Sequence, residues 1–520
     1  MEKLKSFWNN STVLTKIIIG AIFVAGVYFG VNALKSKGVL NTGPAGSSSV
    51  KIERNDDADL VIAYNTFPGM EGILYMNGGM EPSENSKIFQ KYGIKLQIKQ
   101  MDVVADTREA LKSGLLDAVY CTTDVLPIEM SSGSTLLDIK AKQRLKINES
   151  RGADAIVATK NITRVSDLKG KKVAYAVGTA SNTLLINVLE TSGLTMKDIN
   201  TYKVSDGVEA ASAFKNGQVD AAVVWAPDDE DCVKAISGAK VLISTKTATQ
   251  IIADGLLITD AKYNEKKDLF VKLAKAWLEG NGILNVDASA RKEANALFAK
   301  GFNFPEDVAA ASADKIRFST LADNKQFFGY DATYTGVTGE KMYGKMSVKY
   351  TEQELAKSPA PWRNVSDGSL IEELLKDNTL ANNSMQTAAE APKFAAPTKA
   401  DEQVQAQSSK VVSLTFPTAG YILDDDAQTL IDREVSSLAQ AFAGARIRVE
   451  GNTDNVGNPA ANKALSFKRA QAVVNYLIRE YKFDKNKFII VGNGPDKPVA
   501  DNSTEEGKQA NRRTDFQFIW

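Results

Sequence analysis

Between Asp59 and Asp377 short apolar runs alternate with helix-like segments, and this alternation constrains the fold more than any other feature of the chain. Leu60–Ala63, Leu116–Tyr120, Val173–Val177 and Ala221–Trp225 read as strands, and Thr183–Ser192, Gly207–Lys215 and Lys267–Leu278 as helices. Strands separated by helices pair in parallel and are covered on both faces, so an α/β fold with parallel sheets is expected.

The chain has 520 residues, enough for several domains. Lys plus Arg and Asp plus Glu both number 63, so no global charge points to nucleic acid. There is no histidine, which excludes Ser-His-Asp and Cys-His catalysis and His-based zinc sites. Cys121 and Cys232 form no CxxC motif, and whether they pair is not fixed by sequence. No nucleophile–base pair or metal cluster is evident, so neither an enzyme nor a cofactor is expected.

Ile17–Leu34 is eighteen residues without a charge, flanked by Lys16 and Lys35. With Thr12–Thr15 it approaches the ~20 residues of a spanning helix. A cleaved signal peptide with a site near Val31-Asn32-Ala33 and a buried core helix are the alternatives. The run exceeds the usual ~7–15-residue signal core, which favours a retained anchor. The expected layout is a cytoplasmic arm (1–12), a transmembrane anchor (13–34), a tether (35–58), an α/β unit (59–377), a linker (378–410) and a C-terminal α+β unit (411–520). That layout places a single-pass protein in the inner membrane with its bulk in the periplasm. The linker reading rests on Thr379–Ser409, which is rich in Ala, Gln and Pro and poor in large apolar residues.

In the last unit, Val411–Phe416, Ala445–Glu450, Phe488–Val491 and Phe516–Trp520 read as strands, with helices over Ala427–Phe442 and Ala464–Tyr481. The run from Val449 to Asn458, followed by Asn462, Leu465-Ser466, Arg469-Ala470, Gly492-Asn493-Gly494 and Asn511-Arg512-Arg513, resembles the signature of the OmpA-like peptidoglycan-binding family. The resemblance implies a wall-binding module in which Asp454 accepts from the ammonium of a diaminopimelate side chain and Arg469 forks onto its carboxylate. A structural Asp–Arg salt bridge is the alternative. Thr453, Asn455 and Asn462 complete the pocket or cap the loop and helix, and Arg512 lies near the ligand or in solvent. Where the family commonly has His, this chain has Asn452.

A second set of residues runs from Gly152-Ala153-Asp154 through Val165–Ala174 and Gly178-Thr179-Ala180-Ser181 to Gly217–Trp225. It is similar to the substrate-binding proteins of ABC importers that serve nitrate, sulfonates and thiamine-pyrimidine precursors. The resemblance implies a two-lobed periplasmic-binding-protein fold with crossings near Ser150–Asp154 and Thr245–Asp254, a small-molecule solute, and an ABC permease as partner. Gly178, Thr179 and Ser181, after a strand and at a helix start, are expected to hold an anionic group or simply to cap the helix. Thr122, Thr123 and Asp124 face the same cleft by analogy, Trp225 stacks on a planar ligand or packs the hinge, and Thr66 and Phe67 end the first strand. Asp228 and Asp229 meet a cationic group or solvent. A second reading keeps the fold but removes the ligand, leaving a spacer or docking module between membrane and wall.

Overall fold

The computed structural model describes residues 52–417 and 419–520. Fifteen strands form three sheets among the described residues. The first lobe opens with β1 (Leu60–Tyr64), β2 (Leu96–Gln100), β3 (Ala118–Thr122) and β4 (Ala141–Ser150). The chain then crosses into a second lobe with β5 (Asp154–Ala158), β6 (Lys172–Ala176), β7 (Asn200–Val204), β8 (Ala221–Trp225) and β9 (Lys240–Ser244). It returns through β10 (Ala253–Thr259) and β11 (Ile316–Phe318). The C-terminal unit holds β12 (Ser408–Val412), β13 (Arg446–Asn452), β14 (Phe488–Gly494) and β15 (Thr514–Ile519).

The sheets are mixed, which corrects the expectation of parallel sheets. In the first lobe the order is β11-β4-β10-β3-β1-β2, with β1 parallel to β2 and β3 but β10 antiparallel to both β3 and β4. In the second lobe the order is β7-β6-β8-β5-β9, with β5 antiparallel to β8 and β9. The reason is the crossing. β4 leads directly into β5, and β9 returns into β10, so the strands beside each crossing run against the βαβ strands. Alternation along the chain reports the helices between strands and not the direction in which a lobe is entered.

The lobes have separate apolar cores. Leu60, Ile62, Leu96, Leu145, Trp277 and Phe298 are buried in the first, and Val157, Ala174, Phe214 and Val224 on one face of the second. The other face of the second lobe shares its core with the C-terminal unit, where Leu189, Leu242 and Ile251 pack with Phe442, Ala445 and Phe518. Trp520 Nε1 donates to Leu242 O at 3.0 Å and Gly444 N to Thr247 O at 3.1 Å across this joint.

Helix Gly339–Glu352 lies against both lobes. Tyr350 OH sits 2.7 Å from Thr183 Oγ1 in the second lobe, and the chain just beyond the helix bonds the first, Ser132 N to Lys357 O at 3.0 Å and Ala360 N to Met130 O at 2.9 Å. Thr335, just before it, donates to Tyr481 O of the C-terminal unit at 2.6 Å.

The Ala- and Gln-rich segment read as a linker is tied to the first lobe by hydrogen bonds. Gln386 is buried, donating to Leu278 O at 2.8 Å and accepting from Leu321 N at 2.9 Å, and Ala389 N donates to Asp323 Oδ1 at 2.7 Å. Such polar docking leaves no apolar signature.

The expectation of a single-pass inner-membrane protein is overturned: among the described residues no helix is long and apolar enough to cross a membrane. The two longest, Lys267–Val286 and Pro459–Tyr481, have the length but carry charge along it, including Lys272 and Glu279 in one and Lys468 and Arg469 in the other. The Ile17–Leu34 run, with the arm and most of the tether, lies outside the described residues.

Candidate functional site

A cleft of about 580 Å³ opens between the two lobes. Its lining comes from the ends of β1, β3, β4, β8 and β10 and from the start of helix Ala180–Glu190. Six residues singled out from sequence meet there: Thr66, Phe67, Thr122, Gly178, Thr179 and Trp225. Two do not line it. Thr123 is buried behind the wall with Gln143 Oε1 3.1 Å away, and the buried hydroxyl of Ser181 has no partner among the described residues. The period-2 alternation of a strand explains Thr123, since its neighbour Thr122 takes the cleft side. Asp228 and Asp229 are also absent from the lining, and Asp229 pairs with Lys315 at 3.0 Å.

The helix start that suggested an anion site is largely occupied by its own chain. Thr179 Oγ1 donates to Ala176 O at 3.0 Å and accepts from Ser181 N at 3.2 Å, while Gly178 N donates to Asn182 Oδ1 at 3.3 Å. This is an N-cap.

Sequence reasoning missed the carboxylates. Asp102, Glu129, Asp154, Asp206 and Asp254 line the cleft, against one cation among the described residues, Arg108. Arg108 is bound by Glu129 at 2.6 and 3.1 Å and also donates to Tyr120 O at 2.8 Å. Asp254 accepts from Thr122 Oγ1 at 2.9 Å, and burial pushes its pKa up to about 6. Asp154, only 5% exposed, accepts from Ser150 Oγ at 2.7 Å; burial, with Asp254 nearby, pushes it up to about 7. Asp124, expected from sequence to face the cleft, is instead wholly buried behind its wall and is pushed by burial to about 8. Asp154 and Asp254 begin or follow the two crossing segments, and their separation of a hundred positions hid the cluster from any local motif.

In the C-terminal unit, β13 runs into Thr453-Asp454 and the loop ahead of helix Pro459–Tyr481. Asp454 Oδ2 accepts from Arg512 Nη1 at 2.6 Å and Oδ1 from Val456 N at 3.1 Å. Arg469 does not pair with Asp454. Its Nε donates to Gly420 O at 2.9 Å and its guanidinium lies 4.9 Å from the Phe416 ring centre. Burial lowers the pKa of Arg469, Asp454 opposing and Arg512 reinforcing the shift, so all three lie within electrostatic reach. Asn462 Nδ2 donates to Val456 O at 2.8 Å, Thr453 Oγ1 to Asp454 O at 2.8 Å, and Asn455 is exposed. Asn452 is buried away from this loop, donating to Asp515 Oδ2 at 3.1 Å and accepting from Asn493 Nδ2 at 3.0 Å.

A mixed sheet in the order β12-β15-β13-β14 carries that loop, and helix Pro459–Tyr481 lies across β13 and β14. Residues 415–512 match the model of the OmpA family. The chain carries an OmpA-family domain at its C-terminus. Residues 84–284 match the NMT1/THI5 like family, so an NMT1/THI5-like substrate-binding domain precedes it.

Among relatives, Outer membrane porin F of Pseudomonas aeruginosa is 39% identical over 85 residues, which are 16% of this chain and 24% of that protein. The chain thus spans about a quarter of that porin's length. A protein of Escherichia coli (strain K12) named "Putative aliphatic sulfonates-binding protein" is 28% identical over 261 residues, 49% of this chain and 78% of that protein. The crystal structure of the periplasmic aliphatic sulphonate binding protein SsuA from Escherichia coli aligns with a TM-score of 0.47 at 21% identity, covering 60% of this chain and 98% of that one.

Within the OmpA-family domain a further charged network stands apart from the Asp454 loop. Glu450, buried on β13, accepts from Lys497 Nζ at 2.9 Å and from Asn493 Nδ2 at 2.8 Å, and Arg448 Nε, which donates to Gln517 Oε1 at 3.0 Å, lies 2.9 Å from its carboxylate as an ion pair. These partners hold its carboxyl below the usual range against the opposing effect of burial. Its role is to satisfy polar groups on the sheet.

Proposed function

We propose that the protein holds peptidoglycan through its OmpA-family domain and a small solute in the cleft between its two lobes. The carrying observation is the cleft itself: it is lined from both lobes beside the two crossing segments, so a ligand of matching size touches both lobes at once. Lobe closure on such a ligand is a hinge motion that a permease or another partner could read. In the wall-binding domain, Asp454 is proposed to accept from the diaminopimelate ammonium and Arg469 to take its carboxylate, with Thr453, Asn455, Asn462 and Arg512 shaping the loop. The test is a thermal-shift screen of the full chain against small organic ions, beside sedimentation with purified peptidoglycan. A ligand specific to the folded state raises the melting temperature with dose. No shift from any compound and no co-sedimentation would sink the proposal.

One observation favours a second reading, a ligand-free spacer or docking module. Helix Gly339–Glu352 and its flanks bond both lobes and the OmpA-family domain, a brace that resists opening. Peptidoglycan binding without any solute response is the outcome that selects it.

A further inference from the structure

The charge of the cleft says what kind of solute it suits. Five carboxylates and one guanidinium line it, and the guanidinium is spent on Glu129. Among the described residues the other four, Asp102, Asp154, Asp206 and Asp254, form no ion pair. Asp102 and Asp206 have local work, Asp102 accepting from Thr66 N at 2.6 Å and Asp206 capping helix Gly207–Lys215 through Glu209 N at 2.8 Å. Asp154 is different. It is more than nine-tenths buried, faces the cleft, and only Oδ2 is bonded; no described residue donates to Oδ1. A carboxylate removed from water without a cation is costly, and protein sites keep such groups where a ligand completes them.

We propose that the solute held in this cleft is an organic cation, a protonated amine, amidine or guanidine on an apolar or aromatic body, with Asp154 and Asp254 receiving the charge. This rests on the solute-binding reading above. The body of such a ligand has apolar partners in Phe67, Tyr120, Val125, Ile128 and Trp225. Trp225 adds a ring face suited to a cation, and its buried Nε1 has no partner among the described residues. An anionic head group would instead approach four unpaired carboxylates, with the one guanidinium already occupied.

The test uses the full chain and matched pairs of probes: benzylammonium and benzamidinium against benzenesulfonate and benzoate, with alkylguanidinium, quaternary ammonium, alkanesulfonate and nitrate beside them. Binding is read by thermal shift and by calorimetry. The expected result is dose-dependent stabilisation by cations and none by anions. Asp154→Asn and Asp254→Asn are each expected to weaken cation binding at least tenfold. Both substitutions keep the side-chain shape, and an unshifted or raised melting temperature of the free variant shows that the loss is not unfolding. Cation binding unchanged in both variants overturns the assignment. Stabilisation by sulfonate or nitrate alone overturns the cation proposal and leaves the solute-receptor reading standing. Silence from every probe overturns both.

Discussion

Arg512 Nη1 donates to Asp454 Oδ2 at 2.6 Å, so the carboxylate proposed to receive a wall ammonium is already shared with a guanidinium. Arg469, expected to take the carboxylate of the same ligand, is held by Gly420 O and by the face of Phe416. In this arrangement Arg512 orients Asp454, and Arg469 stands beside it with no paired carboxylate among the described residues.

Asp454→Ala and Arg469→Ala are therefore each expected to abolish sedimentation with purified peptidoglycan. Arg512→Ala is expected to weaken it less, because it loosens the carboxylate without deleting a ligand contact. As Arg512 is substantially exposed, its loss should cost about 1 kcal/mol of stability or less. The fraction of each variant in the pellet decides, and equal retention of all three would remove these residues from the site.

The cleft carboxylates set a pH dependence. Folded-state pKa values of about 7 for Asp154 and about 6 for Asp254 lie above the ~3.9 of an unfolded aspartate. The folded chain binds more protons in between, so these groups stabilise it fully below about pH 4 and that contribution is lost as pH rises through their folded values. Asp124 and Glu71, raised by burial to about 8 and about 9, act in the same direction. Glu149, held at about 2 by Lys146 and Arg151 against burial, loses its contribution only in strong acid. Melting temperature should be higher at pH 5 than at pH 8, and Asp154→Asn should flatten the difference. Cation affinity should rise over the same interval. A melting temperature independent of pH would contradict the burial of these groups.

Two glycines let helix Pro459–Tyr481 sit directly on its sheet. A Cβ on Gly451 would lie 2.2 Å from Ser466 O, and one on Gly492 would lie 2.6 Å from the amide nitrogen and Cβ of Phe467. Backbone cannot yield as a side-chain end can. Gly451→Ala or Gly492→Ala should cost about 1–3 kcal/mol through displacement of the helix. Peptidoglycan sedimentation should fall as well, since the helix carries Arg469. Chemical denaturation measures the first effect, and an unchanged midpoint would show that the helix can shift freely.

Arg144 is almost wholly buried on β4, pairs with Asp260 and Asp367, and lies 4.0 Å from the Tyr263 ring centre. It fixes the chain just beyond the interlobe helix to the first lobe. Arg144→Ala leaves Asp367 without its ion-pair partner, while Asp260 keeps Lys142 at 3.1 Å, and should cost about 1–3 kcal/mol. Urea unfolding checks this, and a loss under 1 kcal/mol would show that the pairs are not stabilising.

Residue order alone determined the elements and the signatures. β8 and helix Gly207–Lys215 have the bounds that periodicity indicates, because both are set by neighbours within a few positions. The glycines and arginines of the last unit carried the OmpA-like resemblance for a local reason too, the close packing of one helix on two strands. Tertiary structure alone decided strand direction, the docking of Gln386 and the sign of the cleft. Asp154 and Asp254 face one cavity although a hundred positions separate them, because the chain crosses between lobes at both places. Arg512, fifty-eight residues from Asp454, pairs with it, whereas the Asp454–Arg469 salt bridge that stood as the alternative to ligand binding does not form. Periodicity reports the side of an element that faces apolar surface, whereas a charged site depends on which distant side chains the crossings bring together.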